Sequence, residues 1–230
     1  MIITIDGPSV SGKSTVARAV AKELHYFYIA SGSIYRGLAY ALMHARGYTQ
    51  DTIAQAAIAD VVHCLDESRF VYEYNEAHAE RIIFEGADVT DYIKTPAMDA
   101  GASLLGTNDL VRKQILNFIR TLACDRDIVI DGRDCGSVMF PSADYKFYLT
   151  ASLPVRAQRW QAMQAKLNKN IPIDQAMAII ADRDDRDSNR AIAPLKIPQG
   201  AYSIDSSDLN AQDVVALIVR RVRGQKKEEA

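Results

Sequence analysis

Nine residues near the start of the chain, Gly7-Pro8-Ser9-Val10-Ser11-Gly12-Lys13-Ser14-Thr15, constrain its fold more than any other stretch. They fit G-x-x-x-x-G-K-[ST], the P-loop pattern. The pattern has physical meaning only between a strand and a helix, and both flanks are present. Met1 to Asp6 is a short β-branched run ending in a carboxylate. Residues 13–24 carry Val16, Ala19, Val20 and Leu24 at helical spacing. Loop N–H groups and the helix N-terminus then make a cradle for phosphate oxygens. Gly7 and Gly12 allow backbone angles and a close approach that a Cβ forbids. Lys13 is expected to reach the outer phosphates and Ser14 to ligate Mg²⁺, with Thr15 as support. The loop does not say what the phosphate is for, because kinases, switch GTPases and motor ATPases share it.

Bulk properties narrow the field. At 230 residues the chain can bury a good core. Net charge is −2, so there is no global attraction to nucleic acid or an anionic membrane. Cys64, Cys124 and Cys135 form no C-x-x-C pair, and the four histidines show no ligand spacing. That suits a reducing cytoplasm. The N-terminus runs straight into strand and loop, so no signal peptide is expected, and no apolar run reaches membrane length.

Further along, His25–Ile29 reads as a second strand, residues 30–33 as a turn, and Ile34–Arg46 as a helix closed by Gly47. Thr49–Asp60 is Ala-rich and expected to be helical. Phe70–Tyr74 and Arg81–Phe84 read as strands of a small antiparallel excursion. Helices are expected over 97–105 and 109–122, the latter with Leu110, Val111, Ile115, Phe118, Ile119 and Leu122 on one face. Ile128–Asp131, Tyr145–Leu149 and Ala201–Ile204 read as strands. Helices follow from 152, over 173–190 and over 213–222, with a break over 167–172 and a frayed KKEEA end. Strand–helix alternation with short loops implies a parallel sheet covered by helices. Ligands then sit at the carboxyl ends of its strands, where Gly7, Ser31 and Asp131 fall.

Three stretches are candidates for the second half of a phosphoryl-transfer site. Ser31-Gly32-Ser33-Ile34-Tyr35-Arg36 offers hydroxyls, helix-start N–H groups and a guanidinium for a phosphate, although Ser31 or Ser33 would serve equally as a helix N-cap. Asp131-Gly132-Arg133-Asp134-Cys135-Gly136 places a carboxylate at a strand end, suited to Mg²⁺ or its waters. Cys135 within it is a candidate oxidation-sensitive thiol. Asp182–Arg190 puts Arg183, Asp187 and Arg190 on one helical stripe with Arg186 at its edge, while Asp182, Asp184 and Asp185 point elsewhere. A solvated face is the ordinary reading of such a charge run. Arg156 and Arg159 on the preceding helix favour instead a basic helical lid over phosphates.

GPSVSGKST, SGSIYR, DGRDCG and RDDRDSNRAIAPL, in this order, resemble the bacterial cytidylate kinases, (d)CMP kinases of the nucleoside-monophosphate kinase group. The resemblance covers essentially the whole chain. It implies an α/β P-loop three-layer fold with a central parallel sheet, a small antiparallel acceptor-binding insert and a helical lid. The core would be 1–60, 97–151 and 198–230, the insert 61–96 and the lid 152–197. The implied reaction takes ATP and CMP or dCMP, with Mg²⁺ held at Ser14 and Asp131. ATP would lie on Gly7, Pro8, Ser9, Val10, Ser11, Gly12, Lys13, Ser14 and Thr15. Ser103, Arg112 and Asp134 match the residues that hold cytosine, and Asp187 the one that contacts the sugar. Ser31, Arg36 and Arg133 match those that seat the CMP phosphate, with Arg183 and Arg190 sharing that work. Arg156 and Arg159 match lid arginines. Catalysis would rest on Lys13, Arg133, Arg156, Arg159, Arg183 and Arg190. Ala30, Trp160 and Ser188 depart from the family pattern, which touches acceptor preference and lid kinetics rather than the reaction class. A monomer without nucleic-acid or membrane partners is expected.

Other readings are weaker. A P-loop kinase for AMP, UMP or a non-nucleotide acid would share the loop; Ser103, Arg112 and Asp134 argue against AMP, and a substrate panel separates the others. A GTPase should carry N-K-x-D, which does not occur. A nucleic-acid ATPase should show a basic track, and a non-catalytic paralogue should have lost Lys13, Ser14 or the arginines.

Overall fold

The computed structural model describes the whole chain except Glu76, His78, Leu167 and residues 226–230. The placement of His78, the start of the break at Leu167 and the fraying of the KKEEA end therefore lie outside the described residues. In chain order the elements are β1 (Ile2–Asp6), α1 (Lys13–Leu24), β2 (Phe27–Ala30), α2 (Ser31–Arg46), α3 (Ile58–Cys64), β3 (Phe70–Tyr74), β4 (Glu80–Phe84) and β5 (Ala87–Asp88). There follow α4 (Pro96–Leu105), α5 (Asp109–Ala123), β6 (Ile128–Gly132), β7 (Tyr145–Thr150), α6 (Leu153–Ala165), α7 (Ile173–Asn189), β8 (Tyr202–Asp205) and α8 (Ala211–Gln225).

The main sheet has five strands in the order β2-β6-β1-β7-β8. The β1–β7 pair is parallel, with Ile3 opposite Tyr145 and Asp6 opposite Tyr148. The β7–β8 pair is parallel as well. Ile3, Ile5, Val129, Ile130 and Leu149 are fully buried. β6 is buried along its whole length and β1 from Ile3 onward, as in a parallel sheet covered on both faces, whereas β7 alternates buried and half-buried positions. Each such side chain contributes about 1.5–3 kcal/mol on burial.

The chain packs as two compact units, Met1–Tyr26 with Val129–Ala230, and Phe27–Ile128. In the first, α1 buries Val16, Ala17, Val20 and Ala21 and packs on α8, where Val214, Ile218, Val219 and Val222 are buried. Helices α6 and α7 form a hairpin with its own small core of Ala157, Ala176 and Ile180. Trp160 packs against that core, and so does Val10 from the glycine loop.

In the second unit, β3 and β4 pair antiparallel from Phe70 opposite Phe84 to Tyr74 opposite Glu80. Helix α2 lies against β4 and α4. Its Gly37 is required by close approach, since a Cβ there would come 2.7 Å from the Phe70 ring. The Tyr72 hydroxyl donates to the Tyr28 carbonyl (3.0 Å) and accepts the Ala30 N–H (3.0 Å), fastening β3 to the end of β2.

Several local expectations change. No turn separates β2 from α2: the chain passes directly from Ala30 into helix at Ser31. Thr49–Asp60 is not one helix but a single 3₁₀ turn, Ile53–Gln55, before α3. The Thr49 N–H bonds the Thr52 hydroxyl (2.9 Å), and the Ala57 N–H bonds the Tyr48 hydroxyl (2.9 Å). Such side-chain bonds compete with the helical ladder and outweigh the alanines' propensity. Leu110 is 54 % exposed rather than part of the α5 core face.

Candidate active site

The glycine loop leaves β1 through Gly7 at φ +151°. A Cβ at Gly7 would lie 2.0 Å from the Leu149 carbonyl oxygen on β7. Val10 adopts φ 59° and Gly12 φ 93°, so the loop reverses and opens α1 at Lys13. Lys13 is buried, and its Nζ donates to the Pro8 carbonyl (2.6 Å). Burial, and then the neighbouring Arg133 cation, holds its pKa well below the ordinary lysine value. Ser14 donates its hydroxyl to Asp131 Oδ2 at 2.8 Å. Thr15 is exposed and lines a groove between α1 and α8 of about 620 Å³.

Beyond β6 the chain makes one π-type turn, Cys135–Met139, in which the Phe140 N–H reaches back to the Cys135 carbonyl (2.7 Å). Asp6, at the end of β1, caps this turn by accepting the N–H groups of Cys135 and Gly136, both at 2.7 Å. Burial dominates Asp6 and pushes its pKa up to about 6, against the pull of those two N–H bonds. The Cys135 thiol is fully buried. A reactive thiol needs access as well as charge, so oxidation sensitivity does not follow from its surroundings.

Arg133, Arg190, Arg156 and Arg159 all have hydrogen-bond partners. Arg133 Nε donates to Asp187 (2.8 Å) and its Nη2 to the Ser9 hydroxyl (3.2 Å). Arg190 lies just past α7, and its Nη2 donates to Asp134 (3.1 Å) while its Nε takes the Ala193 carbonyl (2.7 Å). Arg183 lies close enough for its charge to depress the Lys13 pKa further. Arg156 donates to the Ser9 carbonyl (3.0 Å) and the Ala151 carbonyl (2.9 Å), and it pairs with Asp184. Arg159 donates to the Ser11 carbonyl (3.4 Å) and to the Ser206 carbonyl (2.6 Å).

One expectation about α7 is corrected. Asp184 does not point elsewhere: it accepts the Ser9 N–H at 2.9 Å. Arg186 pairs with Asp182 in solvent, both side chains more than half exposed. Sequence reading also missed Asp6 and Ser206. Asp6 carried a signal, a carboxylate closing an otherwise apolar strand. Asp184 carried a weaker one, since it stands one turn before Asp187. Ser206, whose hydroxyl reaches the Ser11 carbonyl (3.3 Å), had none.

In the second unit, α2 has Ala30 as its N-cap with no side-chain cap bond, so neither Ser31 nor Ser33 caps it. Ser31 is buried within the first turn. Ser33 donates to Glu80 (3.2 Å) and accepts from Arg36 (3.0 Å), which also faces Asp99 at 3.5 Å. Ser103 is half-buried on α4, and Arg112 is buried on α5.

Among the described residues no group of three or more His, Cys, Asp or Glu side chains is arranged to hold a metal. The Ser14 hydroxyl and Asp131 carboxylate are hard oxygen donors 2.8 Å apart at the mouth of the loop. That donor set fits Mg²⁺, which binds one or two protein oxygens and completes its shell with waters and phosphates. No described helix is long and apolar enough to cross a membrane.

A glycine loop between β1 and α1, a covered parallel sheet and a helical hairpin whose side chains reach the loop define a P-loop kinase fold. A solved structure of an uncharacterised protein from Eubacterium ventriosum shares the fold, with a TM-score of 0.52 at 13% identity over 97% of this chain and 98% of that one. The profile of the cytidylate kinase family matches residues 3–224, and the chain belongs to that family. The cytidylate kinase of Azotobacter vinelandii is 38% identical over 96% of this chain and 95% of its own length. That of Thermodesulfovibrio yellowstonii is 34% identical over 96% and 97%.

Proposed function

We propose that the protein transfers the γ-phosphoryl group of ATP to CMP or dCMP, giving ADP and CDP or dCDP. The observation that carries this reading is the family match over residues 3–224. An attacking phosphate is already anionic, so no general base is needed, and catalysis is positioning and charge neutralisation. Loop N–H groups and Lys13 bind the donor phosphates. Ser14 and Asp131 would hold Mg²⁺, which when bound supplies further positive charge against the phosphate oxygens. Arg133, Arg183 and Arg190 neutralise the two anions that must approach. Asp134 accepts from the cytosine amine and Asp187 from the sugar. Arg156 and Arg159 brace the loop through its carbonyls.

Ser31, Arg36, Ser103 and Arg112 are assigned to the acceptor by family resemblance. The same resemblance supports residues 61–96 as an acceptor insert and 152–197 as a lid on a core of the remaining segments. A cytoplasmic monomer without nucleic-acid partners completes the reading.

The test is a coupled ADP-release assay with Mg²⁺ and ATP against CMP, dCMP, UMP, AMP and GMP, with a blank lacking acceptor. Turnover with CMP and dCMP is expected. Turnover confined to AMP or UMP would keep the kinase and overturn the cytosine assignments. ADP release equal to the blank throughout would overturn the acceptor reading altogether.

A further inference from the structure

Asp184 has no part in the assignments above, yet it ties α7 to the glycine loop. Its Oδ1 accepts the Ser9 N–H at 2.9 Å, and its Oδ2 accepts from Arg156 Nη1. The two side chains are 18% and 10% exposed. Arg156 and Arg159, one turn apart on α6, hold the Ser9 and Ser11 carbonyls. Between them, Val10 is packed into the hairpin core. The hairpin thus grips two carbonyls of the loop with guanidinium groups and one of its amides with a carboxylate. A P-loop amide is a donor for a phosphate oxygen. A carboxylate oxygen is an anionic acceptor of the same kind, and Ser9 has one N–H to give.

We propose that Asp184 competes with the donor's phosphate for the Ser9 amide, and so sets the affinity of the loop for ATP. It is a positioning residue, acting through Ser9 and Arg156, and the inference rests on the loop being the ATP site. With the carboxylate in place, the amide and the Arg156 cation are satisfied. A buried donor without an acceptor is costly, so Asp184 holds the loop in its cradle shape. A phosphate arriving at that amide meets a carboxylate already there, and either the bond is exchanged or two anions share a confined space. Both oppose binding. The next carboxylate along the same helix, Asp185, is exposed and accepts from Asn189 (2.7 Å), which makes it the natural control.

Calorimetric titration with Mg²⁺-ATP, without acceptor, compares wild type, Asp184→Asn and Asp185→Asn. Asp184→Asn is expected to bind ATP about tenfold tighter, the scale set by removing one repelling charge at short range. Its affinity for CMP should stay unchanged, and Asp185→Asn should match wild type for both. A folded Asp184→Asn protein with unchanged or weaker ATP affinity overturns the proposal. An equal loss of ATP and CMP affinity would mean that Asp184 is merely structural. A titration of the wild-type protein needs no variant: the side-chain carboxyl carbon signal of Asp184 should shift on adding ATP and not on adding CMP. No shift at saturating ATP overturns the proposal as well. Wild type that binds no ATP would overturn the donor-site reading together with this one, whereas ATP binding without the Asp184 effects overturns this one alone.

Discussion

Ser14 and Asp131 stand 117 positions apart in the chain and meet through a hydrogen bond of 2.8 Å from Oγ to Oδ2. The loop brings the hydroxyl, and the end of β6 brings the carboxylate. Asp131→Asn or Ser14→Ala should raise the Mg²⁺ concentration needed for half-maximal activity by about tenfold or more, the usual scale for disturbing a metal's protein shell. A Mg²⁺ titration of ADP release at fixed ATP checks this. An unchanged midpoint in both variants would remove the metal role from the pair.

Lys13→Ala should lower kcat by about 10²-fold or more, because it removes a preorganised cation aimed at developing charge. Lys13 also bonds the Pro8 carbonyl inside the loop. Losing that neutral-acceptor bond costs about 1 kcal/mol of stability, so far-UV circular dichroism should stay native. Loss of the native spectrum would mean that Lys13 is needed for folding first.

Asp134→Ala should raise the KM for CMP more than that for ATP, since the change removes a contact with one substrate only. It also leaves Arg190, 3.1 Å away, without its carboxylate. Steady-state kinetics with each substrate varied in turn decides it. A rise confined to the ATP KM would place Asp134 on the donor side.

Gly7→Ala should destabilise the fold by about 2–4 kcal/mol, by steric strain in the backbone. The added Cβ would lie 2.0 Å from the Leu149 carbonyl oxygen, and backbone on both sides limits relief. Urea unfolding of the variant measures it, and a midpoint equal to wild type would show that the loop can shift.

Asp6 predicts a pH dependence. Its carboxyl is raised to about 6, chiefly by burial, from an ordinary value of 3.8. The folded state therefore binds the proton more tightly than the unfolded chain. The stability this confers is full below about 3.8 and is lost as pH rises through about 6, amounting to about 3 kcal/mol. Asp6→Asn does not titrate, so its disadvantage against wild type should be greatest near pH 4 and shrink toward pH 7. Thermal melts of both proteins across that range test it. A gap that widened with pH would mean that the N–H bonds from Cys135 and Gly136 outweigh burial.

Much of the fold was legible in the residues because local rules governed it. β1, β6 and β7 were marked by short β-branched and aromatic runs, α1 and α5 by helical apolar spacing, and the end of α2 by Gly47 in a left-handed conformation, φ 72°. Where a reading failed, a side-chain hydrogen bond to the backbone had won. The chain enters α2 without a turn because Tyr72, from β3, bonds the backbone at Ala30 and Tyr28. Thr49–Asp60 is not a continuous helix because Tyr48 and Thr52 bond its amides.

The sequence by itself determined the glycine loop, its strand and helix, and which arginines and aspartates are available for chemistry, since spacing along a chain is what sequence records. Only the tertiary structure decided how they pair. Arg133 goes to Asp187, Arg190 to Asp134 and Arg156 to Asp184. Asp6 caps a turn 129 residues away. Such partners are chosen by how strands and helices pack, and in a sheet where β1 lies between β6 and β7 that choice is made by the order of strands rather than by neighbours in the chain.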